Sequence, residues 1–232
     1  TPAVVPALDD ENTGPSARCR PVRGAQPAPI CTFGAAARRA RGQIALVGDS
    51  HALHWRTALD VAARANRWRG FSITAPGCLF SDANRALHEG IRAACAGWER
   101  RVLRWLKAHP RVSTVFISQN VATPVVAPPG RTVAAVKVAG YQRTWKALPR
   151  SVRRVFVIRD TPLTSETTLA CLRRVVAAGD EAPGPACPEG RAYAIRQDTA
   201  VTAARALRAR RYRVVDLTDF FCDARACFPV IG

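Results

Sequence analysis

The apolar and polar positions are most sharply patterned in residues 43–55, QIALVGDSHALHW. Ile44, Ala45, Leu46 and Val47 form an unbroken apolar run, which predicts a strand buried on both faces of a parallel sheet. Gly48, Asp49 and Ser50 break the run, and residues 51–66 predict a helix with Trp55, Leu59, Ala62 and Ala63 on one face. A second strand is predicted at 71–74, ended by Pro76 and Gly77, with a loop over 78–90. Cys95, Trp98, Val102, Trp105 and Leu106 make a helical stripe over 92–109 that Pro110 stops. The third strand is 114–118, TVFIS. After a Pro-rich loop at 122–130, residues 131–148 predict a helix with Tyr141 and Trp145 on its apolar side. The fourth strand is 154–159, RVFVIR. A long Pro/Gly loop follows, with a short helix over 167–178, then a helix over 191–210 and a fifth strand at 213–217.

Strand and helix alternate about five times, which predicts an α/β chain with a parallel sheet covered by helices on both faces. Residues 1–17 lack periodicity and contain Pro, Gly and acidic residues, so they read as a flexible linker. Residues 18–232 read as one domain, which opens on an irregular lead-in at 18–41. No apolar run is long enough to cross a bilayer. The chain starts at Thr1 and contains no methionine. It is therefore read as a mature or excised piece, with a membrane tether expected before Thr1.

Charge changes the picture less than cysteine does. The net charge of +18 is almost entirely arginine, since lysine occurs only at Lys107, Lys137 and Lys146. The arginines scatter in pairs such as Arg38-Arg39 and Arg153-Arg154, with no nucleic-acid motif around them. That favours a basic surface over a nucleic-acid partner, although such a field attracts anionic envelope polymers. The eight cysteines fall as near pairs: Cys19/Cys31, Cys78/Cys95, Cys171/Cys187 and Cys222/Cys227. Near-neighbour pairing is one of about a hundred connectivities. An even count flanking loops, without a Cys-x-x-Cys, argues for disulfides in an oxidising compartment and against a metal site.

Ser50 sits where a buried strand meets a helix, at the sheet edge where open α/β folds bind ligands, and is the candidate nucleophile. Gly-Asp-Ser also suits a helix cap. Asn120 follows the third strand and Gly77 the second, so an amide side chain and a backbone N–H could join the Ser50 amide around an oxyanion. Both also fit plain turns. Asp160 and Asp216 end the last two strands and could orient groups there. A general base is missing. His51 points about 100° away from Ser50 on a helix, and His54, His88 and His109 do not follow strands as a triad histidine would.

An ordered set of motifs adds to this: GDSHA at 48–52, GC at 77–78, Cys95 with Trp98, RDTPL at 159–163 followed by Cys171, and VVDLTDFFCDARACFPVIG at 214–232. Together they resemble the extracytoplasmic SGNH domain fused to the membrane domain of acyltransferase family 3, from about Cys19 to the end. The resemblance implies a disulfide-stapled three-layer α/β/α sandwich with a five-stranded, mostly parallel sheet. It implies Ser50 as nucleophile and the Ser50 amide, Gly77 and Asn120 as the oxyanion hole, with no cofactor or metal. The family's Gly-x-Asn-Asp-like block is reduced here to Ser118-Gln119-Asn120. Its Asp-x-x-His dyad is expected shortly after the last disulfide, and nothing through Gly232 matches it, so the chain as given is expected to lack its catalytic base.

The expected function is an extracytoplasmic O-acyltransferase that moves an acyl group, acetyl or similar, through a serine ester onto an envelope glycan or glycolipid. Its acyl donor would come from a fused or associated membrane domain. The alternatives are an SGNH-type carbohydrate esterase and a non-catalytic basic module that binds an anionic envelope polymer.

Overall fold

The computed structural model describes residues 18–19, 30–86, 88–179 and 183–230, with the side chains of 18–19 excluded. The linker expected at 1–17 lies outside the described residues. The chain divides into two compact units, one of residues 13–160 and 198–215 and one that includes 161–197 and 216–232.

The first unit is built on a seven-stranded sheet. Its strands in chain order are β1 (Arg18–Cys19), β2 (Cys31–Gly34), β3 (Gly42–Gly48), β4 (Trp68–Thr74), β5 (Val112–Ser118), β6 (Arg154–Ile158) and, after one strand belonging to the other unit, β8 (Tyr212–Val215). The helices are α1 (Ser50–His54), α2 (Arg56–Ala65), α3 (Glu89–Ala108), α4 (Val133–Lys146) and α8 (Thr199–Ala206). Strand order is β1-β2-β4-β3-β5-β6-β8, and the five strands from β4 to β8 are parallel.

All five predicted strands are present, and the sheet is mostly parallel with helices around it. The expected count of five is corrected to seven. The lead-in at 18–41 is not wholly irregular, because β2 lies antiparallel along the outer side of β4 and β1 pairs antiparallel with β2. In β2 only Cys31 and Phe33 point inward, too few positions to register as a period-two pattern. The helix predicted at 51–66 pauses at Trp55 between α1 and α2. The one predicted at 191–210 is two helices, because Ile195 is extended and Asp198 caps a new start at Thr199.

Alternation along the central strands divides the core in two. Ala45 and Val47 of β3, Val115 and Ile117 of β5, and Val155 and Val157 of β6 face one side. They pack there with Trp98, Val102 and Leu106 of α3, Trp145 of α4 and Ala203 of α8. Ile44 and Leu46 face the other side with Phe33, Ala52 and Ala63. Period two on strands buried on both faces is what a parallel sheet requires. Trp98 and Trp145 are fully buried, and each contributes roughly 2–3 kcal/mol through area removed from water.

The second unit carries α5 (Glu166–Ala177), α6 (Pro183–Ala186), α7 (Arg191–Ala194) and α9 (Thr218–Phe221), with β7 (Glu189–Gly190) paired antiparallel to β9 (Ala226–Cys227). Glu189 accepts from the Ser165 N–H at 2.7 Å, and Asp216 holds the turn into α9 by accepting from the Thr218 hydroxyl at 2.6 Å.

Cys171–Cys187 and Cys222–Cys227 staple the second unit, and Cys78–Cys95 joins the loop after β4 to α3. These three pairs are the expected near neighbours. Cys31 is also disulfide-bonded and lies opposite Cys19 in the strand register, while the Cys19 side chain is outside the described residues. Because Cys78 and Cys95 are 17 residues apart, their bond removes about 3 kcal/mol of chain entropy from the unfolded state. Cys78→Ser with Cys95→Ser should therefore lower the unfolding free energy in urea by about that amount. A loss under about 1 kcal/mol would show that the loop is held by packing alone.

Candidate functional site

Register brings three loops to one edge. Gly48 ends β3 and lies opposite Thr74 of β4 and Ser118 of β5, each the last residue of its strand. The chain then leaves the sheet as Asp49-Ser50 from β3, Ala75-Pro76-Gly77 from β4 and Gln119-Asn120 from β5. In the parallel part of the sheet β4 lies on one side of β3 and β5 on the other, so this is the switch point where open α/β sheets form a crevice. Gly48 is required here because a Cβ would collide with the Ser118 carbonyl.

Asp49 binds these exits together. It is fully buried and caps α1, its Oδ1 accepting from the His51 N–H at 2.9 Å. Its Oδ2 accepts from the backbone N–H of Asn120, also at 2.9 Å. Burial pushes its carboxyl above the usual aspartate range, while these two N–H groups and the His51 charge act to lower it.

Ser50, the first residue of α1, is half-buried, and its hydroxyl makes no hydrogen bond to a histidine among the described residues. Gly77 occupies the third position of a four-residue turn closed by the Cys78 N–H donating to the Ala75 carbonyl at 2.9 Å. Pro76 before it and a φ of +75° at Gly77 make this a type II turn, a backbone that favours glycine. Asn120 Oδ1 accepts from the Ala122 N–H at 2.8 Å, so Nδ2 is the donor end of its amide.

Behind these residues lies a charged network of which the sequence showed only fragments. Nδ1 of His51 donates to Asp160 Oδ1 at 2.5 Å, and Asp160 Oδ2 accepts from the Val121 N–H at 2.8 Å. The Asp160 N–H donates to Asp198 Oδ2 at 3.0 Å, and Asp198 Oδ1 caps α8. Burial of His51 opposes its charge, but the Asp160 hydrogen bond and the charges of Asp160 and Asp49 outweigh it and hold the imidazole above its ordinary value. His54 stacks on His51 with centroids 5.0 Å apart and is lowered by burial and by the His51 charge. Burial likewise raises Asp198, against the backbone N–H groups it accepts.

Lys137 of α4, 5 % exposed, donates to the Val121 carbonyl at 2.8 Å. Burial lowers its ammonium, and the nearby Asp198, Asp49 and Asp160 carboxylates work to raise it. Tyr141, one turn further along α4, is raised well above its usual range by burial and is hydrogen-bonded to Thr199. Arg85 stands beside the Gly77 turn, where a Cβ on Gly77 would come within 2.7 Å of its Nη1.

Ser50, Gly77 and Asn120 thus share one edge, and Asp160 reaches it through His51. Asp216 belongs to the turn into α9 instead. Lys137, Arg85 and Asp198 were missed. Lys137 did have a signal, because it lies four and eight residues before Tyr141 and Trp145 on the same stripe. Asp198 reads as an N-cap once the helix start is placed at Thr199. Arg85 carries no sequence signal. Among the described residues no cluster of His, Cys, Asp or Glu is arranged to hold a metal.

No curated protein matches the chain. A solved structure, that of the Salmonella ser. Paratyphi A lipopolysaccharide acetyltransferase periplasmic domain, is similar at a TM-score of 0.59 with 11 % identity, over 84 % of this chain and 73 % of the other. At that identity the likeness establishes the fold. The family described as SGNH domain (fused to AT3 domains) matches residues 18–232, the stretch that holds all the residues around Ser50, and the chain belongs to that family.

Proposed function

We propose that this chain is the extracytoplasmic part of an O-acyltransferase, passing an acyl group such as acetyl through an ester on Ser50 to a hydroxyl of an envelope glycan or glycolipid. The observation that carries the proposal is the convergence of Ser50, Gly77 and Asn120 at the strand ends β3, β4 and β5. Family membership, the acetyltransferase fold likeness and the disulfides support it. No helix among the described residues is long and apolar enough to cross a membrane. The donor is then supplied by the AT3 domain to which the family's members are fused.

In the first step the Ser50 oxygen attacks the acyl carbonyl and its proton passes to a base. By the resemblance that base is the histidine of an Asp-x-x-His dyad, which no residue of the given sequence matches. The oxyanion takes hydrogen bonds from the Ser50 and Gly77 N–H groups and from Asn120 Nδ2. Collapse breaks the bond to the donor, whose leaving group takes the proton. An acceptor hydroxyl then attacks the serine ester and gives its proton to the same base, which passes it to the Ser50 oxygen as the ester bond breaks, restoring both groups.

His51 has a positioning role. Its Nδ1 is engaged by Asp160, and through Asp160 and Val121 it steadies the loop that carries Asn120.

In the full-length protein Ser50→Ala should reduce acyl transfer at least about a thousandfold, and Asn120→Ala should reduce kcat about a hundredfold with little change in KM. Transfer that survives Ser50→Ala would overturn the nucleophile, and product formed only with water as acceptor would make the domain an esterase. His51→Gln should cost less than about tenfold, and a loss equal to that of Ser50→Ala would make His51 the base instead. Because Asp160 holds the folded-state pKa of His51 above the unfolded 6.5, the pair's stabilisation is complete below that value and is lost as pH rises through the raised pKa. As pH rises from below 6.5 through that raised value the wild type should thus lose more stability than His51→Gln, and parallel urea profiles would refute the pairing.

A further inference from the structure

Two clefts open at the edge of the sheet opposite Ser50, where the parallel strands begin. The first, of about 510 Å³, lies under the starts of β3, β5 and β6 and is lined by Arg41, Arg111, Arg150 and Arg153. The second, of about 570 Å³, lies beside the end of β2 and carries Arg39 and Arg67. β3 spans seven residues, which puts this edge roughly 20 Å from Ser50.

The first cleft has no acidic lining residue. All four of its arginines are exposed, and none forms an ion pair among the described residues, unlike Arg64 and Arg143, which hold Asp60 and Asp82. Helix carboxyl ends attract cations, which accounts for Arg64 in the last turn of α2. It does not account for four unpaired guanidinium groups around one concavity, since Arg41, Arg111, Arg150 and Arg153 all lie outside the helices.

We infer that this cleft is a binding site for an anionic polysaccharide, one that bears phosphate or carboxylate groups, separate from the Ser50 edge. Guanidinium groups hold such oxyanions through paired hydrogen bonds, and a concavity admits a chain. A bilayer surface is disfavoured because no large exposed apolar side chain lines the cleft to enter it. Nucleic acid is disfavoured because no lining residue is aromatic, which removes base stacking. The two oxyanion sources share the same chemistry and are distinguished by the choice of probe.

The test measures binding of poly(glycerol phosphate) and of polygalacturonate to the wild type and to two quadruple variants, with dextran as the neutral control. One variant is Arg41→Gln, Arg111→Gln, Arg150→Gln and Arg153→Gln. The other removes the same charge elsewhere, through Arg100→Gln, Arg104→Gln, Arg131→Gln and Arg173→Gln, all at exposed positions. Unchanged melting temperatures establish that both fold, and a binding readout does not depend on turnover. The cleft variant should bind at least one of the two polymers about tenfold or more weakly, with a salt slope reduced by roughly two to three units. The control variant should change less than about threefold. Equal losses in both variants would overturn the site in favour of diffuse charge. Overturning it too would be cleft-dependent binding confined to phosphatidylglycerol vesicles or to single-stranded DNA.

Discussion

The candidate site at the sheet edge depends on one buried carboxylate, Asp49. Three strands ending in register bring three loops near each other, but register alone does not fix where the loops point. Asp49 does so by accepting one hydrogen bond from its own helix start and one from Asn120 across the gap between β3 and β5. With the carboxylate removed, two backbone N–H groups lose their acceptor, at a cost of about 1–3 kcal/mol each where they are buried. The start of α1, which carries Ser50, and the loop that carries Asn120 would then no longer share an anchor.

That anchor is tolerable in the core because of what surrounds it. A buried carboxylate without partners costs several kcal/mol. Asp49, Asp160 and Asp198 are each buried, yet each accepts hydrogen bonds from at least one backbone N–H, and His51, Lys137 and Arg85 supply compensating charge. The network also links β3, β5, β6, α4 and α8, so the loops after β3 and β5 are tied to two helices beneath them. A site held this way resists drift of its donors, the property that acyl-transfer chemistry needs most.

How much of this was legible in the sequence follows from the range of each signal. Ile44–Val47 and Thr114–Ser118 announce buried strands because their burial on both faces is written locally as continuous apolar runs. Ser50, Gly77 and Asn120 could be placed on one edge because each comes two or three residues after a predicted strand. The antiparallel β2 escaped notice because two inward residues, Cys31 and Phe33, are too few to form a pattern. The His51–Asp160 pair joins residues 109 apart, and Lys137 reaches Val121 from another helix. Such partners are set by the packing of whole elements, and no local pattern encodes them. Lys137 came nearest to being readable, since a lysine aligned with Tyr141 and Trp145 must either snorkel or be paired inside.

The two edges of the sheet are electrostatically opposite, and helix direction accounts for only part of the difference. In a parallel sheet the connecting helices run back against the strands, so their amino ends gather where the strands finish and their carboxyl ends where the strands begin. Carboxylates are favoured at the first edge and cations at the second. Asp49 and Asp198 follow this rule as caps of α1 and α8, and Arg64 follows it at the end of α2. The acids have gone further, being buried and fully engaged with N–H groups, so they hold structure and present little charge to solvent. The arginines around the opposite cleft are exposed and unpaired by any described carboxylate, so their field is directed outward. Helix direction therefore accounts for the engaged carboxylates at one end, while the exposed arginines at the other go beyond what it explains and leave an unspent positive surface there.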